Sequence, residues 1–351
     1  MVTTMKPSRP LDMNVSDIPT FVVALAIAHA QEHGVPPERL LSGTGLNLDD
    51  IKNAGILISF RQAATIIRRM VRAIPDEPAG LAVGAKGALG SFGILGLAML
   101  SSINIREAVA IGLTHHKEAG SLMDFSSELR GDEFAFILHE RFPQPELLPF
   151  LCEEALSSII SLLRLALGEQ VAPRRVEFSY APPSYAEACG RFFQCPVHFG
   201  RAANRMVLDA ALLDIPLTTS SPAILASSLK ASVQALPVAE PMPDLVTSVE
   251  SVLRGNLRER PTMTRVAAEL NITERTLRRG LEAAGQSFSG IRDRLLERQA
   301  RLLLEQPGQP IAAIAVELGF SDAREFRRAF HRWTGEAPSR FRQELPRADS
   351  E

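Results

Sequence analysis

Two stretches near the C-terminus repeat one pattern of apolar residues, and that repetition constrains the fold more than any other feature. In MTRVAAELNITERTLRRGL, Val266, Ala267 and Leu270 form one side of a first helix. Asn271, Ile272 and Thr273 make a turn, Thr273 can cap the next helix, and Leu277 and Leu281 face inward. Residues four apart share a helix face, so Leu277 and Leu281 must be buried together. In IAAIAVELGFSDAREFRRAFHRW, the inward residues are Ile311, Ile314, Ala315 and Leu318, followed by Gly319 at the turn. Ser321 is the expected cap, and Phe326 and Phe330 are the second inward pair. Each stretch is therefore expected to form helix, turn, helix.

The outward positions of both second helices carry arginine: Arg275, Arg278 and Arg279 in the first, Arg324, Arg327 and Arg328 in the second. Arg275 and Arg324 lie 49 residues apart, so one domain holds both units. A helix of about Ser289 to Glu305, with Ile291, Leu295 and Leu302 as its expected buried stripe, fixes their separation. A helix presenting arginine at this spacing can enter a major groove, where the planar guanidinium pairs with guanine edges or phosphate. Solvated faces of ordinary helices would also carry arginine, but not twice within matching turn signals.

Charge follows the same division. The chain has a formal net charge of −2 over 351 residues. Residues 250–345 carry 17 basic side chains against 13 acidic, and every basic one is Arg, while residues 1–249 carry 20 against 25. A nucleic-acid domain joined to an acidic domain with another task fits that asymmetry.

The N-terminal part reads as α+β over residues 20–215. Helices are expected at 19–35, after Pro36, at Phe60–Arg72, Asn104–Leu113, Leu147–Leu167 and 184–193. Strands are expected at Leu122–Phe125, Glu133–Leu138, Arg175–Tyr180, Pro196–Phe199 and Arg205–Leu208. Gly84, Gly87, Gly90, Gly93 and Gly96 recur every third residue, but the run lacks the Gly-Lys-Ser/Thr ending of a phosphate loop. Tight turns and close backbone approach are the expected uses. Residues 216–244 read as a connecting segment, with PVAEPMP at 237–243 as linker. Residues 245–345 form the all-α domain.

Other function classes find little support. Cys152, Cys189 and Cys195 give no disulfide framework and suggest a reducing compartment. Cys189 and Cys195, with His198 nearby, read as buried thiols rather than a metal site. No serine elbow, P-loop or HExxH motif is present, so an enzyme is not expected, and no cofactor or metal is implied. The longest apolar stretch, Phe92 to Leu100, falls far short of the roughly 18 residues of a membrane helix, so the expectation is a soluble, cytoplasmic chain.

The segments AAELNITERTLRRGLEAAGQSF and IAAIAVELGFSDAREFRRAFHRWTGEAPSRFR resemble the DNA-binding domain of the AraC/XylS family of bacterial regulators. The ending with Gly335, Pro338, Phe341 and Arg342 is similar to that family's C-terminal signature. GALGSFGILGLAMLSSINIREAV and RFFQCPVHFGRAANRMVLDAALLDIPL resemble the regulatory domain of the subgroup that includes ornithine-utilisation and mycobacterial VirS-type regulators. Its common name mentions arabinose binding, which does not fix the ligand.

The resemblance implies a sequence-specific, effector-responsive regulator acting on double-stranded promoter DNA. It also implies a homodimer and a contact with RNA polymerase, with activation the commoner mode. Whether the N-terminal domain senses a small-molecule effector or only dimerises stays open, as do the effector and its pocket. Arg275, Arg278, Arg279, Arg324 and Arg328 match positions that read bases or touch phosphate in the family. Two departures stand out. Gly280 replaces the larger residue usual after the first reading face, which implies a less rigid helix end. Arg324 stands where many subgroup members have a smaller residue, which implies a different distal target.

Overall fold

The computed structural model describes residues 12–53, 55–86, 92–235, 242–306 and 308–344. They divide into two compact units, one comprising residues up to Leu41 and Asn47–Met242, the other Ser42–Leu46 and residues from Pro243 on.

The first unit is a mixed α/β domain. A short strand β1 (Val15–Pro19) pairs antiparallel with β2 (Leu57–Ser59). Helices α1 (Phe21–Glu32), α2 (Pro37–Leu41) and α3 (Leu48–Lys52) lie between them in sequence, and α4 (Phe60–Ala73) follows. Ser59 and Gln62 close a reciprocal capping box at the start of α4, each side chain accepting from the other's backbone N–H.

Next come α5 (Ala79–Lys86), α6 (Gly93–Leu100) and α7 (Ile105–His115), the last capped by Asn104. The described part of the glycine-rich run is thus largely helical. Gly87 and Gly90 lie outside the described residues. Gly84 serves close approach: a Cβ there would stand 2.0 Å from Ser157 Oγ and 2.3 Å from the Glu154 carbonyl. Both belong to α8 (Leu148–Leu167), which packs on α5.

A five-stranded sheet completes the unit, formed by β3 (Met123–Arg130), β4 (Glu133–Glu140), β5 (Arg175–Glu177), β6 (Val197–His198) and β7 (Asn204–Asp209) in the order β3-β4-β7-β5-β6. All its pairs are antiparallel except β5–β6. The helix α9 (Ala186–Phe193) precedes β6. The segment expected to be connecting holds a further helix, α10 (Pro222–Ala235), packed on α6. Of the proposed linker, residues 237–241 lie outside the described residues.

The second unit is all-α: α11 (Asp244–Gly255), α12 (Met263–Glu269), α13 (Glu274–Ala283), α14 (Phe288–Glu305), α15 (Ile311–Glu317), α16 (Ala323–Thr334) and α17 (Pro338–Glu344). No described helix in either unit is long and apolar enough to cross a membrane.

Candidate nucleic-acid interface

The buried pairs expected from the sequence hold α13 and α16 in place. Leu277 and Leu281 of α13 are buried, as are Val266, Ala267 and Leu270 before them. Phe326 and Phe330 of α16 lie in one core with Ile314, Ala315, Leu318 and Phe320, closed from below by Leu296, Ala300, Leu303 and Leu304 of α14. The stripe on α14 is therefore offset from the expected one. Ile291 is buried, but Leu295 is only half-buried and Leu302 is 49% exposed.

The caps show one correction. Thr273 caps α13, accepting from the Thr276 backbone N–H. At α16 the cap is Asp322, not Ser321. Its carboxylate accepts from the N–H groups of Arg324 and Glu325, both at 2.7 Å. Ser321 turns to Glu325 instead, donating its N–H at 3.0 Å and its hydroxyl at 2.9 Å. Glu325 also pairs with Arg260 at 3.0 Å. The Ser321 backbone N–H and then Arg260 hold the Glu325 carboxyl down at about 2. Arg260 in turn lies over the Phe320 ring, 4.7 Å from its centroid. The first turn of α16 is thereby tied to the segment before α12.

All six sequence-selected arginines, Arg275, Arg278, Arg279, Arg324, Arg327 and Arg328, are exposed. Arg278 pairs with Glu274 one turn earlier, at 2.6 Å. Among the described residues, the guanidinium groups of the other five have no hydrogen-bond or ion-pair partner. They are available to phosphate or base edges without first breaking an internal contact, whereas Arg278 must release Glu274.

Gly280 has a packing reason that the sequence does not reveal. A Cβ there would stand 2.2 Å from Leu245 Cδ2, so α11 packs closely on the back of α13 through this position.

In the first unit, a cavity of about 70 Å³ lies behind α6 and α7, and its walls include Phe92, Met99, Val109, Phe125, Phe136 and Leu162. Phe92 and Met99 thus line a cavity, whereas Leu95 and Ala98 of the same apolar segment are buried core. A smaller adjoining cavity shares Phe92, His116, Phe125 and Ile159, and adds Glu154 and Ser158. Glu154 is buried, accepts from the Ser158 hydroxyl at 3.1 Å, and has its carboxyl pushed up to about 7 by that burial.

Cys189 is buried and Cys195 partly so. Burial raises their thiols, Cys189 to about 12 and Cys195 to about 11. The described residues bring together a different set of possible metal donors, His29, His33 and Glu77. The sequence reading passed over them. The H-x-x-x-H spacing in HAQEH was the available signal, but Glu77 is distant in sequence.

Comparison with known proteins agrees with both units. Residues 34–217, just over half the chain, match the family described as the arabinose-binding domain of AraC transcription regulator, N-terminal. Residues 266–344 match a helix-turn-helix domain. The chain is 26% identical to an ornithine utilization regulator from Pseudomonas aeruginosa, over 95% of this chain and 99% of the relative. It is 29% identical to the HTH-type transcriptional regulator VirS from Mycobacterium tuberculosis, over 54% of this chain and 56% of the relative. A solved structure of transcriptional regulator CdpR from Pseudomonas aeruginosa aligns over 92% of this chain and 98% of its own, at 22% identity and a TM-score of 0.45. With its N-terminal regulatory domain and C-terminal helix-turn-helix domain, the chain belongs to the AraC/XylS family of DNA-binding transcriptional regulators.

Proposed function

We propose that this regulator is an effector-responsive activator that binds promoter DNA sequence-specifically as a homodimer. In this reading it belongs to the subgroup of the ornithine utilization and VirS regulators. The observation that carries it is the pair of helices α13 and α16, each fixed by a buried pair and presenting unpaired arginines. Arg275, Arg279, Arg324, Arg327 and Arg328 are the assigned DNA contacts, with Arg278 released from Glu274 on binding. At about 1.5 Å per residue these helices are long enough to lie in a major groove about 12 Å wide. The protein acts by binding, not by turnover, and activation requires a contact with RNA polymerase.

The effector is assigned to the cavity behind α6 and α7. Its walls suit an apolar molecule, and Glu154 in the adjoining cavity favours one carrying an amine or hydroxyl donor. Exposed Ile94 and Leu97 on α6 and Ile224 on α10, two helices that pack together, favour self-association. Two domains linked in a dimer gain affinity for paired sites through effective concentration, and a ligand that prefers one arrangement shifts the population toward it.

Sedimentation of the full chain with and without a fragment of its own promoter tests the assembly, and a dimer on DNA is the expected species. Thermal-shift screening with small apolar amines and alcohols tests the effector. A monomer on DNA would overturn the dimer. If no such compound moved either the melting temperature or DNA affinity, a domain that only dimerises would be favoured.

A further inference from the structure

The last turn of α1 carries His29, its C-cap is His33, and Glu77 lies just before α5. One donor atom from each of the three lies within 4.8 Å of the others. The two imidazole rings are 4.5 Å apart, centroid to centroid.

His29 is only 2% exposed, yet neither of its ring nitrogens has a hydrogen-bond partner among the described residues. Buried polar groups are nearly always satisfied, so such a ring calls for an explanation. The neighbouring His33 is itself oriented by the His29 backbone, not by the His29 ring. Its Nδ1 lies 2.8 Å from the His29 carbonyl, an acceptor only, so Nδ1 carries the hydrogen. The Nε2 of a neutral ring then presents a lone pair, and it lies 2.9 Å from Glu77 Oε1, another acceptor. Two lone pairs meeting at that distance need a cation between them, either a proton shared by the pair or a metal. A backbone carbonyl that orients a histidine in this way is the usual outer support of a metal ligand.

We propose that His29, His33 and Glu77 form a binding site for a first-row divalent cation of the zinc type, pinning the end of α1 to the segment leading into α5. Two imidazoles and a carboxylate suit zinc, cobalt or nickel better than the oxygen-seeking calcium and magnesium. Bonds of about 2.0–2.1 Å would place tetrahedral donors about 3.3 Å apart, within reach of side-chain rotation from the present spacing. The His33 and Glu77 side chains are 34% and 32% exposed, which leaves an approach from solvent and an open fourth position. Glu32 lies 4.0 Å from His29 Nδ1 and pairs with Lys86, so the nearby ammonium is neutralised. Burial lowers the His29 pKa, which favours the neutral ring with one nitrogen lone pair free for a metal. The His29 carbonyl and Glu77 raise that of His33, where a proton competes with the metal.

The test uses the full chain, stripped with a chelator and titrated with Co²⁺ alone, then Zn²⁺. Saturable uptake of one equivalent is expected, with the visible absorption of low-coordinate cobalt, bleached by Zn²⁺. His33→Ala should abolish that uptake. Glu77→Gln should weaken it by more than about tenfold, since even outer-sphere substitutions commonly cost that much. Both positions are partly exposed, and circular dichroism verifies that the variants fold. Cys195→Ser should leave the titration unchanged. Absence of saturable uptake at micromolar Co²⁺ would overturn the site, as would uptake that survives His33→Ala or vanishes in Cys195→Ser.

Discussion

A Cβ placed on Gly319 would stand 2.1 Å from the carbonyl oxygen of Arg258. Gly319 also has φ +74, the left-handed region, and it forms the turn of the second helix-turn-helix unit. Asn271 holds the corresponding turn of the first unit at φ +57, a conformation that asparagine tolerates. The two turns should therefore respond differently. Gly319→Ala meets backbone that cannot move aside and is expected to cost more than about 2 kcal/mol. Asn271→Gly should change stability by less than about 1 kcal/mol. Urea unfolding of the full chain, following the helical signal, checks both. Equal small effects would mean that the close approach to Arg258 is not a constraint.

Glu154 gives a pH dependence of opposite sense to that of most carboxylates. Its ordinary value is 4.5, and burial raises it to about 7 in the folded chain. Between those values the folded state holds a proton that the unfolded state has lost, so this group's contribution falls as pH rises through that window. Buried His29 has a lowered pKa and opposes this trend on acidification, so the useful quantity is the difference between variant and parent. Glu154→Gln should raise the melting temperature at about pH 8 and change it little at about pH 4.5. A variant less stable than the parent at the higher pH would show that Glu154 is ionised and satisfied in the fold.

Binding to duplex DNA should weaken steeply with salt. Five arginines on α13 and α16 have no partner among the described residues, and each phosphate neutralised adds about 0.9 to the slope of log affinity against log salt. A slope of roughly −2 to −5 is expected, according to how many of them contact bases instead. A slope near zero in a salt titration would exclude arginine–phosphate contacts as a main source of affinity.

The helical domain was largely legible because its buried pairs recur at helical spacing. Leu277/Leu281 and Phe326/Phe330 leave no other register. Where adjacent residues competed, the sequence was ambiguous. Ser321 and Asp322 are both good caps, and the carboxylate prevails because it accepts two N–H groups while Glu325 engages Ser321. The run Leu302, Leu303, Leu304 offered three choices, and the core takes the last two. In the first unit, β1 and β2 are too short for alternation to emerge. The described inward side chains of α10 include Ser228 and Ser232, so that helix lacks a strong apolar stripe. Of the two uses expected for the recurring glycines, tight turn and close approach, Gly84 serves the second, against α8 and inside a helix, and Gly80, which the recurrence does not include, does the same. The arginines of the candidate interface were legible individually, but the Arg278–Glu274 pair and the packing of Leu245 against Gly280 depend on side-chain positions that spacing alone does not give.

On the proposed reading, the exposed arginines on α13 and α16 recognise DNA sequence. The direct measurement is a gel-shift series with Arg279→Ala and Arg328→Ala of the full chain against every single-base variant of one bound promoter site. Each substitution should remove about 1–3 kcal/mol of discrimination at its own base pair, with the melting temperature unchanged. If both variants kept the parent's affinity and its full discrimination at every position, α13 and α16 would not be reading DNA through these side chains.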